Sequence, residues 1–372
     1  MTSTVKLPAL LQPIKAPLTS PHAHDHSSVH RIMLHVCLAL APTTVWGLYL
    51  FGWPSINLWV LTCGAALAAE SICLHILKQP QARLLDGSAL LTGWLLALTL
   101  PPWAPWWIGI GGAVFAIGVG KHLYGGVGQN IFNPAMLARV ALLISFPLQM
   151  STWALPLQHP DFQQSLHVTF SVGGMPDGST GATALGHLRT SFTLHRDARD
   201  VIAHDFSLSA ALLGNTAGSL GETSEVLLLL GGFWLLALRI ISWEIPVAMV
   251  LAVLLPALWA HAINPARYAG VDFHLSSGGL LLGAIYIATD PVTSPVSRSG
   301  RMIFGAGCGL MTWAIRSWGS FPEGVAFAIL FMNALTPLLD RYCRPRIYGR
   351  DRARKPLRAL SPVASVKGSG ET

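Results

Sequence analysis

Charge is what this chain has least of. Only 11% of its 372 residues are Asp, Glu, Lys or Arg, less than half the roughly 25% of soluble domains. Cysteine is sparse too: Cys37, Cys63, Cys73, Cys308 and Cys343 stand singly, with no CxxC, which excludes an iron–sulfur cluster held within the chain. They read as small apolar packing residues. No P-loop, HExxH or Ser-His-Asp order occurs. The start lacks the basic, apolar and small-residue succession of a signal peptide, so none is expected.

What remains is apolar. Hydrophobic residues make up 52% of the chain, in blocks near membrane-spanning length from about residue 32 to residue 340. The expected fold is an all-α polytopic membrane protein of about ten spans: 32–51, 56–77, 87–102, 104–121, 134–150, 225–242, 245–263, 276–291, 302–319 and 324–340. "GWPS" at 52–55 and "PPWAPW" at 101–106 suit tight hairpins with aromatic residues at the lipid–water interface. The net charge of +7 does not point to nucleic acid. The basic residues gather in "RYCRPRIYGRDRARKPLR" from 341 to 358, which suits contact with anionic membrane lipid at a cytoplasmic leaflet.

Five parts follow: a cytoplasmic segment 1–31, a five-span unit 32–150, an extramembrane segment 151–223, a second five-span unit 224–340, and a basic tail 341–372. With the N-terminus inside, the inner connections carry Lys78, Arg83, Lys121, Arg298 and Arg301. The outer turns 52–55, 101–106 and 318–323 carry no Lys or Arg, and 264–275 only Arg267. Both termini are therefore expected in the cytoplasm and 151–223 on the opposite side.

The two units match. "SALLTGWLLALTLPP" (88–102) aligns with "GGLLLGAIYIATDPV" (278–292): Gly93 with Gly283, Thr99 with Thr289 and Pro101 with Pro291, a constant offset of 190 (283 − 93). A five-span unit used twice must run in opposite orientations, giving an inverted repeat of the kind that builds central sites in transporters. Both segments end in Thr-x-Pro, where proline removes a donor and disfavours helix before it. Thr99–Pro102 and Thr289–Val292 are either half-helix ends around a cofactor or ion, or ordinary helix termini. Asp290 sits at one of them.

In "YGGVGQNIFNPAM" (124–136), Asn133 and Pro134 read as N-cap and first turn of the fifth span. Gln129 and Asn130 beside that helix N-terminus are candidates to contact a polar ring or a phosphate. Glu70, Arg139, Arg239, His261 and Arg316 interrupt apolar blocks, where a mid-span charge is a functional candidate. Arg239 and Arg316 lie near span ends and are expected to snorkel. Glu70 and Arg139 are deeper, and suit an ion or proton path or a mutual pair. "SPHAHDHSSVH" (20–30), with His22, His24, His26 and His30, reads as an N-terminal segment rather than a metal site.

"DGSTGATAL" (177–185) begins as turn and cap residues, Asp177, Ser179 and Thr180, before a short helix. Thr180-Gly181-Ala182-Thr183 is also the acceptor pattern for phosphoester attachment of FMN to threonine. Gly181 and Ala182 leave the backbone open to a modifying enzyme, and Asp177 is placed to orient a reactive group.

The chain resembles the D-subunit family of the Rnf (also Rsx) ion-translocating electron-transport complexes, related to the B subunits of the sodium-translocating NADH:quinone reductases. The resemblance runs in order through "SPHAH", "LLDGSALLTGWLLALTLPPWAPWW", "YGGVGQNIFNPAM", "LLISFPLQMSTW", "DGSTGATAL", "TDPVTSP", "GRMIFG", "RSWGSFPEGVAFAILFMNALTPLLDRY" and "RPRIYG". It implies a bacterial inner-membrane subunit with 151–223 periplasmic, in a complex that couples electron transfer between ferredoxin and NAD to movement of Na⁺ or H⁺. It implies FMN bound covalently through its phosphate to Thr183, put there by a flavin transferase. Related B subunits also hold a non-covalent riboflavin near their transmembrane core. Electron entry and exit would then fall to iron–sulfur and flavin-carrying partner subunits. A non-redox transporter on an inverted repeat, or a scaffold for other subunits, are the alternatives.

Overall fold

The computed structural model describes residues 28–170, 179–194, 197, 199, 202 and 206–344. Asp177, His22, His24, His26 and the tail from 345 onward lie outside these.

Helices occupy each of the ten expected positions, with changed boundaries. The first unit holds α1 (Val29–Phe51), α2 (Trp53–Ile76), α3 (Ser88–Thr99), α4 (Trp106–Gly118) and α5 (Pro134–Ser145). Gly52, at φ 68°, alone separates α1 from α2, so the expected tight hairpin is tighter than a four-residue turn. The fifth span, expected to run to 150, stops at Ser145. Pro147 cannot donate into the ladder, and α6 (Pro147–Ser151) starts anew.

Between the units lie α7 (Phe162–Phe170), α8 (Ala184–Thr193) and α9 (Leu208–Leu213). Two short strands, β1 (Trp153–Ala154) and β2 (Thr180–Gly181), pair antiparallel with Trp153 opposite Gly181. This pair is a small departure from the expected all-α fold.

The second unit holds α10 (Glu225–Ala237), α11 (Glu244–Ile263), α12 (Val271–Leu275), α13 (Leu280–Leu282), α14 (Arg298–Trp318) and α15 (Val325–Tyr342). The expected span 276–291 is helical only from Leu280, and Gly283–Ile287 continues α13 as a π-helical turn. The Ala288 amide reaching back five residues to the Gly283 carbonyl, at 2.7 Å, marks the wider turn.

α2 packs against α3 and α4, and α11 against α14; α1 meets α10 and α5 meets α15. Small residues bring these backbones together. A Cβ on Gly309 would lie 2.2 Å from the Met249 carbonyl oxygen, so only glycine lets α14 seat on α11 there.

α1, α2, α11 and α15 are long and apolar enough to cross a membrane; α3, α5 and α10 are shorter apolar helices. Their outward faces carry Val45, Tyr49, Ile76, Leu230, Phe233, Leu255 and Trp259, all more than half exposed. An apolar surface this extensive suits lipid rather than water. The chain is thus a helical polytopic membrane protein.

Candidate functional site

Thr183 and Arg139 line one cavity, Asn130, Thr289 and Asp290 a second, and Glu70 sits in a buried charge cluster.

The first cavity, of about 150 Å³, brings Thr183 and Arg139 together with Glu222, Glu323 and the turn at Ser276–Gly278. Trp153, Phe206, Phe321 and Phe327 form its aromatic walls. Thr183 is the N-cap of α8, with φ −68° and ψ 158°, and its Oγ1 accepts from the Gly186 amide at 3.1 Å. The cap is therefore Thr183 and not the residues nearer Asp177, because Thr180 is committed to β2. Gly181 sits under Leu155, where a Cβ would lie 2.6 Å from Cδ2. Ala182 is exposed.

Arg139 projects from α5 and donates from Nη1 to the Thr99 carbonyl, and from Nη2 to Glu323 Oε2 at 3.1 Å. The first of these satisfies the carbonyl that the Leu100-Pro101-Pro102 break frees at the end of α3. Thr99 and the three residues after it are buried, so this break lies inside the protein and not at its surface.

Arg316 does not snorkel, which corrects the expectation. It is 4% exposed, donates to the His274 and Ser277 carbonyls at 2.8 Å each, and lies 3.7 Å from Glu323 Oε1. The His274 carbonyl is in the last turn of α12 and the Ser277 carbonyl in the irregular stretch before α13, places where a backbone carbonyl inside the protein needs a buried donor. Arg239 is exposed, as a snorkelling residue would be.

Glu222, in a short turn at Leu220–Glu222, accepts from Ser219 Oγ at 2.8 Å. Burial first, and the nearby Glu323 carboxylate second, push its pKa up to about 7, against the opposing pull of Arg139 and Ser219. His274, in α12, is held down to about 3 by burial and by Arg316, so it stays neutral.

The second cavity, of about 80 Å³, collects Asn130, Thr289 and Asp290 with Asn133, Ser88 and Lys121, between apolar walls such as Leu95 and Ile241. Asn133 caps α5 as expected, accepting from Ala135 and Met136 amides at 3.1 and 3.3 Å. Asn130 Nδ2 donates to the Phe132 carbonyl. Thr289 Oγ1 donates to the Ile285 carbonyl at 2.6 Å. Asp290 accepts from the Val292 amide and the Thr293 hydroxyl. Gln129 is exposed and does not line this cavity.

Glu70 and Arg139 do not pair with each other. Glu70 Oε1 lies 2.8 Å from Lys121 Nζ and its Oε2 lies 2.9 Å from His122 Nε2, all three nearly buried. Lys121 also donates to Ser88 Oγ at 2.8 Å, which ties this cluster to the rim of the second cavity.

Sequence reasoning missed Glu222, Glu323 and His122, and used Lys121 only as an orientation marker. Glu323 alone carried a visible signal: it is the one acid in "SWGSFPEGV", a turn that is otherwise apolar or small.

Residues 18–349 match the NQR2, RnfD, RnfE family model. The chain is 65% identical over 346 residues to a protein of Stutzerimonas stutzeri named as the D subunit of an ion-translocating oxidoreductase complex, covering 92% of this chain and 98% of that one. A Halorhodospira halophila protein of the same name is 45% identical (91% and 97% covered). One from Escherichia coli K12 is 41% identical (89% and 97%). With a family match over most of its length and such relatives covered almost end to end, the chain belongs to the NQR2, RnfD, RnfE family.

Proposed function

We propose that this chain is the membrane subunit of an ion-translocating oxidoreductase complex that relays electrons through FMN esterified to Thr183. In this reading ten spans form two inverted five-helix repeats in the bacterial inner membrane. Both termini are cytoplasmic and 151–223 is periplasmic. Iron–sulfur and flavin-carrying partner subunits pass electrons between ferredoxin and NAD, and the exchange drives Na⁺ or H⁺ movement. Glu70 and Arg139, each in a separate buried charge cluster, are candidates for the ion path.

The observation that carries the reading is the setting of Thr183: an accessible helix N-cap opening on a cavity with an arginine and four aromatic side chains. These residues fit a phosphate-linked flavin. A phosphodiester carries one negative charge, and the first-turn amides of α8 and the Arg139 guanidinium favour an anion there. Trp153, Phe321 and Phe327 offer apolar faces to a flat heteroaromatic ring. Thr183 itself supplies the esterified oxygen. Bound FMN supplies one- and two-electron transfer; the chain's part is to hold it, orient it and exclude water. A covalent tether at a solvent-facing site keeps the local concentration permanently high.

In-gel flavin fluorescence after denaturation tests this, with the chain co-expressed with its flavin transferase. Wild type should fluoresce and Thr183→Val should not; equal signals from the two, or none from wild type, overturn the assignment. Flavin released from Thr183→Val on denaturation would report a second, non-covalent riboflavin, for which Asn130, Thr289 and Asp290 in the second cavity are the candidate contacts. A non-redox transporter, the alternative, would carry no flavin absorbance.

A further inference from the structure

The cavity beside Thr183 contains a charge arrangement that holding a flavin does not require. Two carboxylates converge on one glycine. A Cβ on Gly279 would stand 3.2 Å from Glu323 Oε1 and 3.7 Å from Glu222 Oε1. The two acids are treated unequally. Glu323 has both arginines, Arg139 at 3.1 Å and Arg316 at 3.7 Å, and also accepts from the Gly279 amide. Glu222 has the Ser219 hydroxyl at 2.8 Å. When two carboxylates share a confined space, the one with weaker partners keeps a proton to higher pH.

Resting on the FMN reading above, we propose that Glu222 is the proton-exchanging group of the Thr183 cavity, taking up a proton when an electron arrives there and releasing it when the electron leaves. Glu323, held between Arg139 and Arg316, is the second carboxylate at Gly279 beside which Glu222 makes this exchange.

The charges balance. With both carboxylates ionised, Glu222, Glu323, Arg139 and Arg316 sum to zero. One electron enters from a flavin or iron–sulfur carrier of the complex, and one proton enters from water. The only bond made is O–H on the Glu222 carboxylate, and it breaks when the electron moves on. His274, the other titratable side chain facing this network among the described residues, sits beside Arg316 in its neutral form and leaves the sum unchanged. The shift of Glu222 to about 7 places the exchange within the working pH range. By linkage, an electron that raises the proton affinity of Glu222 is itself held more tightly when Glu222 is protonated.

The test is the midpoint potential of the attached flavin against pH, from 5.5 to 8.5, on full-length chain matured with its transferase. Wild type should show a change of slope near pH 7 that Glu222→Gln removes and Glu222→Asp retains at a shifted pH. Flavin fluorescence in denaturing gels is read on the same samples. Wild type without attached flavin sinks the FMN reading and this inference with it. Flavin attached and the slope change persisting in Glu222→Gln sinks the inference alone. Should Glu222→Gln fail to accumulate, Glu222→Asp decides: a break that stays at the wild-type pH overturns the proposal.

Discussion

Replacing Lys121 with methionine removes one charge of a pair held between α2 and the turn after α4. At 2.8 Å and an effective dielectric near 20, the attraction to Glu70 is about 6 kcal/mol. Taking both charges out of water costs several kcal/mol per ion, so the pair as a whole contributes little net stability. Its halves do not. Lys121→Met leaves a carboxylate that is 2% exposed with His122 as its remaining close partner. A buried charge stranded in this way costs about 3–5 kcal/mol. Glu70→Gln strands Lys121 with only Ser88 Oγ at 2.8 Å and should cost a similar amount. Glu70→Gln combined with Lys121→Met should recover most of either loss, so the double-mutant cycle over these two substitutions should give a coupling energy of more than about 3 kcal/mol. The measurement is reversible unfolding in detergent at fixed micelle composition. Single variants that each lose less than about 1 kcal/mol would mean that the pair behaves as an exposed one, and would refute the burial argument.

Asn133→Ala removes the acceptor of two amides at the start of α5 and should cost about 1 kcal/mol in the same assay. Gly309→Ala and Gly111→Ala should have opposite signs. The first meets the Met249 backbone and should destabilise by about 1–3 kcal/mol, whereas the second meets nothing within 4 Å and should gain about 0.5–1 kcal/mol. For Glu222 the folded value of about 7 lies above the ordinary 4.5, so the folded state binds its proton more tightly. The stability from this group is full below about pH 4.5 and is lost as pH rises through 7. The melting temperature of wild type should therefore fall relative to Glu222→Gln between pH 5 and 7.5; parallel curves would contradict the shift. His274 opposes it: its value falls from 6.5 to about 3, so its contribution is full above 6.5 and is lost as pH drops. Comparing each variant with wild type separates the two.

The positions of the helices were legible because apolar run length and the Pro and Gly punctuation report directly on where a helix can exist. Asn133 was legible for the same local reason: a cap is decided within four residues. The partners of buried charges were not, since nothing in a linear pattern says that Arg139 meets Glu323, 184 residues away. Arg316 shows the limit most clearly. Its place near a span end suggested escape to the interface, but the helix ends in protein and two backbone carbonyls claim the guanidinium. The separation of Thr183 from Asn130 and Asp290 into different cavities is likewise a property of packing. The break at Gly283–Ile287 left no mark in hydropathy, because a π turn buries the same apolar residues as an α turn.

That π turn sets the phase of everything after it. One extra residue per turn rotates the following chain by roughly 100° relative to a regular helix, and the residues so rotated include Thr289 and Asp290 at the second cavity. Deleting a single residue within 283–287 would restore a regular hydrogen-bond ladder while turning both side chains away from that cavity. Local repair and correct aim are thus opposed here.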